Sequence, residues 1–192
     1  MFINENLEIL EYIHPSHKSL NEEIVKESLT FNYRHGDDIM MIDGINTSNV
    51  KALQTTDRTI MSDSINKIYH WILTLVHDYY KGWNYHINTS WLSNYKKGDY
   101  TRPHDHRPAS FAFNYFVKTP KGSSPLIFTT SCKRINAEEG KLIIFPGSLI
   151  HEVPKNECDD RIVLSGNIFP RTVCTSDWLP ISIMYEKRYK NI

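Results

Sequence analysis

From Trp83 onward the sequence breaks into short runs of alternating apolar and polar residues, punctuated by turn formers. Few folds accommodate that pattern. Tyr85, Ile87, Thr89 and Trp91 alternate with more polar neighbours, as a half-buried strand requires. Strand-like runs follow at about 100–106, 111–118, 125–130, 141–145, 149–153 and 161–169, with another near 181–186. Lys97-Gly98-Asp99, Thr119-Pro120-Lys121-Gly122, Glu138-Glu139-Gly140 and Lys155-Asn156-Glu157 supply the turns between them. Many short strands joined by polar turns imply a sandwich or jelly roll.

The first part of the chain reads differently. Ile65, Ile68, Tyr69, Ile72, Leu75, Val76 and Tyr79 keep helical spacing, with Gly82 as a stop after Lys81. Ser19-Leu20-Asn21-Glu22 reads as a capping box ahead of Ile24, Val25 and Leu29, predicting a short helix near 20–30. Gly36-Asp37-Asp38 and Asp43-Gly44 read as turns, and the polar stretch Asn46 to Thr56 as irregular. The expected class is mainly β with N-terminal helices (α+β). A single domain over 1–192 is expected, with a mainly helical or irregular part at 1–82 and a jelly-roll core at 83–186.

Charge narrows the partners. Lys plus Arg equals Asp plus Glu at 22 each, so the net charge is zero, and the overall balance gives no electrostatic reason to expect duplex nucleic acid or a membrane as a partner. The N-terminus lacks a basic start with an apolar run behind it, and no stretch has the length of a membrane-spanning helix. A cytoplasmic location is expected, in a host cytoplasm if the chain is phage-encoded. Cys132, Cys158 and Cys174 are odd in number and form no CxxC pair, so they read as free thiols.

One constellation carries chemistry. On an extended strand His104 and His106 point to one side and Asp105 to the other. A third histidine, His151, follows the apolar run Leu142-Ile143-Ile144-Phe145-Pro146, and Arg161 comes ten residues later on a strand-like segment. Three imidazoles can cap one face of a metal octahedron. A fixed guanidinium near them suits a bidentate carboxylate. On its own a His-x-His pair is more often a hydrogen-bonded surface pair, and Arg161 beside Asp159 and Asp160 could form a surface salt bridge. Their ordered combination shifts the reading to metal. Two ligand sets stay open: His104, His106 and His151, or a set in which Asp105 enters through an irregular backbone. Arg161, Val163, Ser165 and Asn167 share a strand face, placing Ser165 beside the guanidinium. His70 and His77, seven residues apart on the long helix, read as surface or packing residues, and Trp71, Trp83, Trp91 and Trp178 as core or rim aromatics.

The segment from Tyr95-Lys96-Lys97-Gly98-Asp99 through the histidine pair resembles the Fe(II)/2-oxoglutarate-dependent oxygenases. It continues with Ala112 to Pro120, Gly122 to Phe128, Gly140 to Pro146, His151, and Arg161 to Asn167. The likeness is to the prolyl-hydroxylase-like group with phage and bacterial members, and it covers roughly the second half of the chain. The usual pattern of that family is His-x-Asp/Glu with a distant His, so His106 is a departure. The resemblance implies a double-stranded β-helix (a cupin-like jelly roll), Fe(II), and 2-oxoglutarate as co-substrate. It also implies hydroxylation of a C–H bond by dioxygen, with release of succinate and carbon dioxide. By resemblance, Arg161 grips the distal carboxylate of 2-oxoglutarate with a hydroxyl from Tyr95 or Tyr115, and Ser165, Asn114 and Asn167 are further co-substrate candidates. The substrate is expected to be a protein prolyl residue, an amino acid or a small metabolite. The alternative is a non-catalytic or 2-oxoglutarate-independent cupin-type metal-binding jelly roll, which has no need of Arg161. His106 fills the position that halogenases leave to a halide, which disfavours halogenation.

Overall fold

A computed structural model describes residues 7–36, 41–42, 45–46, 49–57, 59–81 and 84–171. Two antiparallel sheets face each other, and two helices cover the outer face of the larger one. In chain order the elements are β1 (Leu10–Ile13), α1 (His17–Ser28), β2 (Tyr33–His35), β3 (Met41–Ile42), β4 (Ile45–Asn46), β5 (Val50–Lys51) and β6 (Leu53–Thr55). Then come α2 (Asp63–Tyr79), β7 (Tyr85–Tyr95), β8 (Tyr100–His104), β9 (Phe111–Lys118) and β10 (Leu126–Phe128). The last are β11 (Lys133–Ile135), β12 (Lys141–Pro146), β13 (His151–Val153) and β14 (Arg161–Pro170). The large sheet runs β1-β12-β9-β14-β7-β6-β2 and the small one β11-β10-β13-β8-β5, while β3 and β4 pair with each other. This is the expected double-stranded β-helix with helices packed on one side.

The apolar pattern explains the layering. Because strands of the large sheet are covered on both faces, they read as nearly continuous apolar runs. Phe113, Tyr115, Val117, Leu142, Ile144, Leu164 and Ile168 pack outward against Leu20, Ile24, Ile65, Ile68, Tyr69, Ile72 and Val76 of the helices. The alternate residues Ala112, Phe116, Ile143, Phe145 and Val163 face inward against Val50, Leu126, Phe128 and Val153 of the small sheet. Helix α2 begins where Ser62 accepts a hydrogen bond from the Ile65 amide at 3.3 Å. Glu27 of α1 reaches Ser62 and Ser64 at that same end, fixing one helix on the other.

Several expectations shift. Helix α1 starts at His17 with Ser16 before it, so Ser19 lies inside the first turn and bonds the Ser16 carbonyl instead of capping. The stretch read as irregular, Asn46 to Thr56, contains β5 and β6, which join different sheets. With β1 paired to β12 and β6 to β7, the N-terminal part builds the sheets as well as covering them. Sequence alternation is too short in two- to four-residue strands to register. The runs predicted at 100–106 and 149–153 are trimmed to β8 and β13, leaving Asp105 and His106 in the loop that follows. The strand near 181–186, Gly82, Trp83, Cys174, Trp178 and the turn residues Asp37, Asp38, Asp43 and Gly44 lie outside the described residues. Among the described residues no helix is long and apolar enough to cross a membrane.

Candidate metal centre

The three histidines converge. His104 ends β8 and His151 opens β13, and the two are cross-strand partners with ring centroids 4.4 Å apart. His106 lies just beyond β8, where its amide donates to the Gly147 carbonyl at 2.7 Å and the Gly147 amide donates to the Ser110 carbonyl at 3.0 Å. A Cβ on Gly147 would meet the Ala109 carbonyl oxygen at 2.2 Å, so only glycine lets the two loops close around the site. The ligand atoms of the triad all lie within 4.8 Å of one another.

Ring orientation follows from the backbone. His104 Nδ1 lies 2.8 Å from the Arg102 carbonyl, and His151 Nδ1 lies 2.9 Å from the Leu149 carbonyl. A carbonyl only accepts, so both Nδ1 atoms carry the proton and both Nε2 lone pairs face inward. His106 Nε2 stands 3.2 Å from His151 Nε2. The His106 and His151 rings stack at 5.0 Å and 11°, with Trp91 along the other side of His106 and Phe145 edge-on to His151. Burial lowers the pKa of His106 to about 3, with His151 and His104 adding to the shift. Burial, followed by the neighbouring His104, lowers His151 to about 4. Neutral imidazoles are the form that binds metal.

Arg161, the first residue of β14, is 1% exposed. Its Nε donates to the Ser124 carbonyl at 3.2 Å, and its guanidinium lies over the rings of Tyr95 (4.6 Å) and Phe116 (5.5 Å). One terminal nitrogen, Nη1, is buried with no hydrogen-bond partner. The surface salt bridge does not form: Asp159 accepts from the Lys97 amide and Asp160 pairs with Lys118. A buried cation without an anion is costly unless a ligand supplies the anion. Tyr95 and Thr101 share a hydrogen bond of 2.7 Å beside it.

A pocket of about 320 Å³ of open space joins these parts. Its lining includes the triad, Tyr95, Thr101, Trp91, Ser93, Asn114 and Ser165, walled by Val50, Leu126 and Val153. The structure therefore places His104, His106, His151, Tyr95, Asn114 and Ser165 around one pocket, with the Arg161 guanidinium over the Tyr95 ring. Three candidates fall elsewhere. Tyr115 points to the helix side, where its hydroxyl donates to Asn21 at 2.7 Å. Its neighbour Asn114 takes the pocket face, as strand alternation demands. Asp105 turns away to Arg107, accepting from its Nε at 2.7 Å and pairing with its guanidinium at 2.6 Å. Asn167 stands outside the pocket lining.

Thr101 was not legible in the sequence because it is three residues from His104, which opposite-face alternation would separate. A bulge brings both inward: His151 pairs with His104, whereas Val153 pairs with Thr101. Trp91, read as a core or rim aromatic, is the ring that stacks on His106.

No protein-family model and no curated protein matches the sequence. Solved structures do resemble it. A viral collagen prolyl hydroxylase from Paramecium Bursaria Chlorella virus-1, in complex with 2-oxoglutarate, is similar at TM-score 0.63 and 15% identity, over 83% of this chain and 94% of that one. A Pseudomonas putida prolyl-4-hydroxylase is similar at TM-score 0.63 and 12% identity, over 85% and 92%. A Streptomyces hygroscopicus protein with nickel, 2-oxoglutarate and hygromycin B bound is similar at TM-score 0.60 and 8% identity, over 84% and 82%. The chain has the fold of the Fe(II)/2-oxoglutarate oxygenases.

Proposed function

We propose that this chain is an Fe(II)- and 2-oxoglutarate-dependent dioxygenase that hydroxylates a C–H bond. The overall change takes substrate C–H, dioxygen and 2-oxoglutarate to C–OH, succinate and carbon dioxide. The observation that carries the reading is the buried Arg161, whose Nη1 has no partner, beside a pocket that holds three inward-facing imidazoles. His104, His106 and His151 would hold the metal through Nε2, and Asp105 takes no part. A ferrous ion held there would supply the activation of dioxygen and the oxidative decarboxylation of the co-substrate.

The protein's own groups do the rest. Arg161 and the Tyr95–Thr101 hydroxyl pair bind the distal carboxylate, a planar fork matched to a planar anion. Asn114 and Ser165, cross-strand partners on the pocket floor, offer polar contacts to the remaining oxygens. Val50, Leu126, Val153 and Trp91 give the pocket apolar walls, which would strengthen charge interactions with a ligand bound between them. An all-imidazole face lacks the carboxylate's negative charge, so the metal keeps one more unit of positive charge for the incoming dianion.

Anaerobic addition of Fe(II) and then 2-oxoglutarate tests the proposal. A visible metal-to-ligand charge-transfer band is expected in the wild type and absent in His151→Ala. Arg161→Met is expected to keep metal binding and weaken 2-oxoglutarate by about 10- to 100-fold, the loss of one or two charge-assisted hydrogen bonds. Unchanged 2-oxoglutarate affinity in that variant would falsify the co-substrate assignment. Iron binding without the band would favour a 2-oxoglutarate-independent, three-histidine oxidation, and no metal binding at all a non-catalytic jelly roll.

A further inference from the structure

One row of side chains leads out of the pocket toward the edge of the large sheet. Ser93 of β7 lines the pocket and is paired with Val163 on one side and Gln54 of β6 on the other. Gln54 is in turn paired with Arg34 of β2. Residues directly opposite each other in antiparallel strands share a face. Val163 packs inward toward the small sheet, whereas Tyr33, the neighbour of Arg34, packs on the helix side. Arg34 and Gln54 therefore stand on the same inward face as Ser93.

Exposure rises along the row, from Ser93 at 2% through half-buried Gln54 to exposed Arg34, so this face opens to solvent along β6 and β2. Gln54 Nε2 donates to Ser93 Oγ at 3.2 Å. That bond leaves the Ser93 proton and the second N–H of Gln54 to donate to an incoming acceptor. Among the described residues no carboxylate pairs with Arg34. Neighbouring strands lie about 4.8 Å apart, which puts the Arg34 backbone roughly 10 Å from that of Ser93.

Resting on the reading of the pocket as an oxygenase site, we propose that Ser93, Gln54 and Arg34 form the subsite for the substrate to be hydroxylated, and that this substrate carries a carboxylate bound by Arg34. One guanidinium with one amide offers a planar fork and a single positive charge, which suits a carboxylate. The two arginines then serve different anions: buried Arg161 the co-substrate, exposed Arg34 the substrate. The spacing sets the carboxylate several bonds from the oxidised carbon, as in an N-acyl amino acid, a dipeptide or an acidic side chain of a longer peptide.

The test measures succinate release by the full chain with Fe(II), 2-oxoglutarate and dioxygen. The probes are N-acetyl amino acids and dipeptides, each beside its C-terminal amide, and end-blocked peptides with an internal Glu beside their Gln counterparts. Acids are expected to accelerate release and their neutral counterparts to do so at about tenfold higher KM, the value of one partly exposed charge-assisted contact. The blocked Glu peptides, if they alone act, identify a polypeptide as the source of the carboxylate. Arg34→Gln is expected to raise KM for the active acid about tenfold, to abolish its dependence on salt, and to leave the neutral counterpart where it was. Arg34→Lys should recover part of the loss. Two-oxoglutarate affinity, read from the charge-transfer band, should not change in either variant. No acceleration by any acid, equal KM for acid and neutral partner, or an Arg34→Gln loss confined to 2-oxoglutarate overturns the inference. A wild type without the charge-transfer band sinks the oxygenase reading itself, a different result from these.

Discussion

Tyr95 and Tyr115 show how one residue's role turns on which face of a strand it occupies. Both were candidates for the hydroxyl beside Arg161. Tyr95 lies under the guanidinium and bonds Thr101, whereas Tyr115 bonds Asn21 among the helices. Tyr95→Phe is expected to weaken 2-oxoglutarate by a few-fold to about tenfold, the value of one neutral hydrogen bond. Tyr115→Phe is expected to leave that affinity alone and cost about 1–2 kcal/mol of stability, because Asn21 loses its buried partner. Isothermal titration and urea unfolding of the two variants separate the effects. Reversed results would exchange the two roles.

At the scale of elements, the site depends on how closely two loops approach. The β12–β13 turn and the loop after β8 meet at Gly147, which bonds His106 and Ser110 through its backbone. Gly147→Ala is expected to push the His106 loop outward, lowering stability by about 1–3 kcal/mol as overpacking does. Metal affinity should fall with it, measured by thermal unfolding and Co(II) titration. An unshifted affinity would mean the loop tolerates the methyl group without moving His106. The same elements show what the sequence made legible. The long strands β7, β9, β12 and β14 and the helix α2 were readable because their apolar periods run over several residues. The histidines and Arg161 were readable from their order and spacing in the sequence, although His106 reaches the site from the loop after β8 and not from a strand. Thr101 was not, since a bulge in the pairing of β8 with β13 breaks the strand alternation. The short N-terminal strands were hidden for another reason: their partners, β12 among them, lie far away in sequence.

For the whole molecule, three neutral histidines at the centre of the fold make stability depend on pH. His106 and His151 titrate at about 3 and about 4 in the folded chain, below the ordinary 6.5. Between those values the unfolded chain binds more protons than the folded one, so acid favours unfolding. The metal-free protein is therefore expected to hold its full stability above about pH 6.5 and to lose it progressively as the pH falls toward 4. Urea midpoints at several pH values check this. A midpoint that stays level between pH 7 and pH 5 would show that the histidines are not held neutral by burial.

The position of β14 also has a bearing on how the chain is made. It lies between β9 and β7, which do not pair with each other, and it is the last strand of the described residues. During synthesis the large sheet exists first as two separate halves, each with an open edge at what will become its middle. Neither half can close until residues 161–170 have left the ribosome. Late, long-range pairing of this kind is slow, and bare strand edges invite other chains. The strand that begins with Arg161 is thus also the one whose arrival ends the nascent protein's exposure to aggregation.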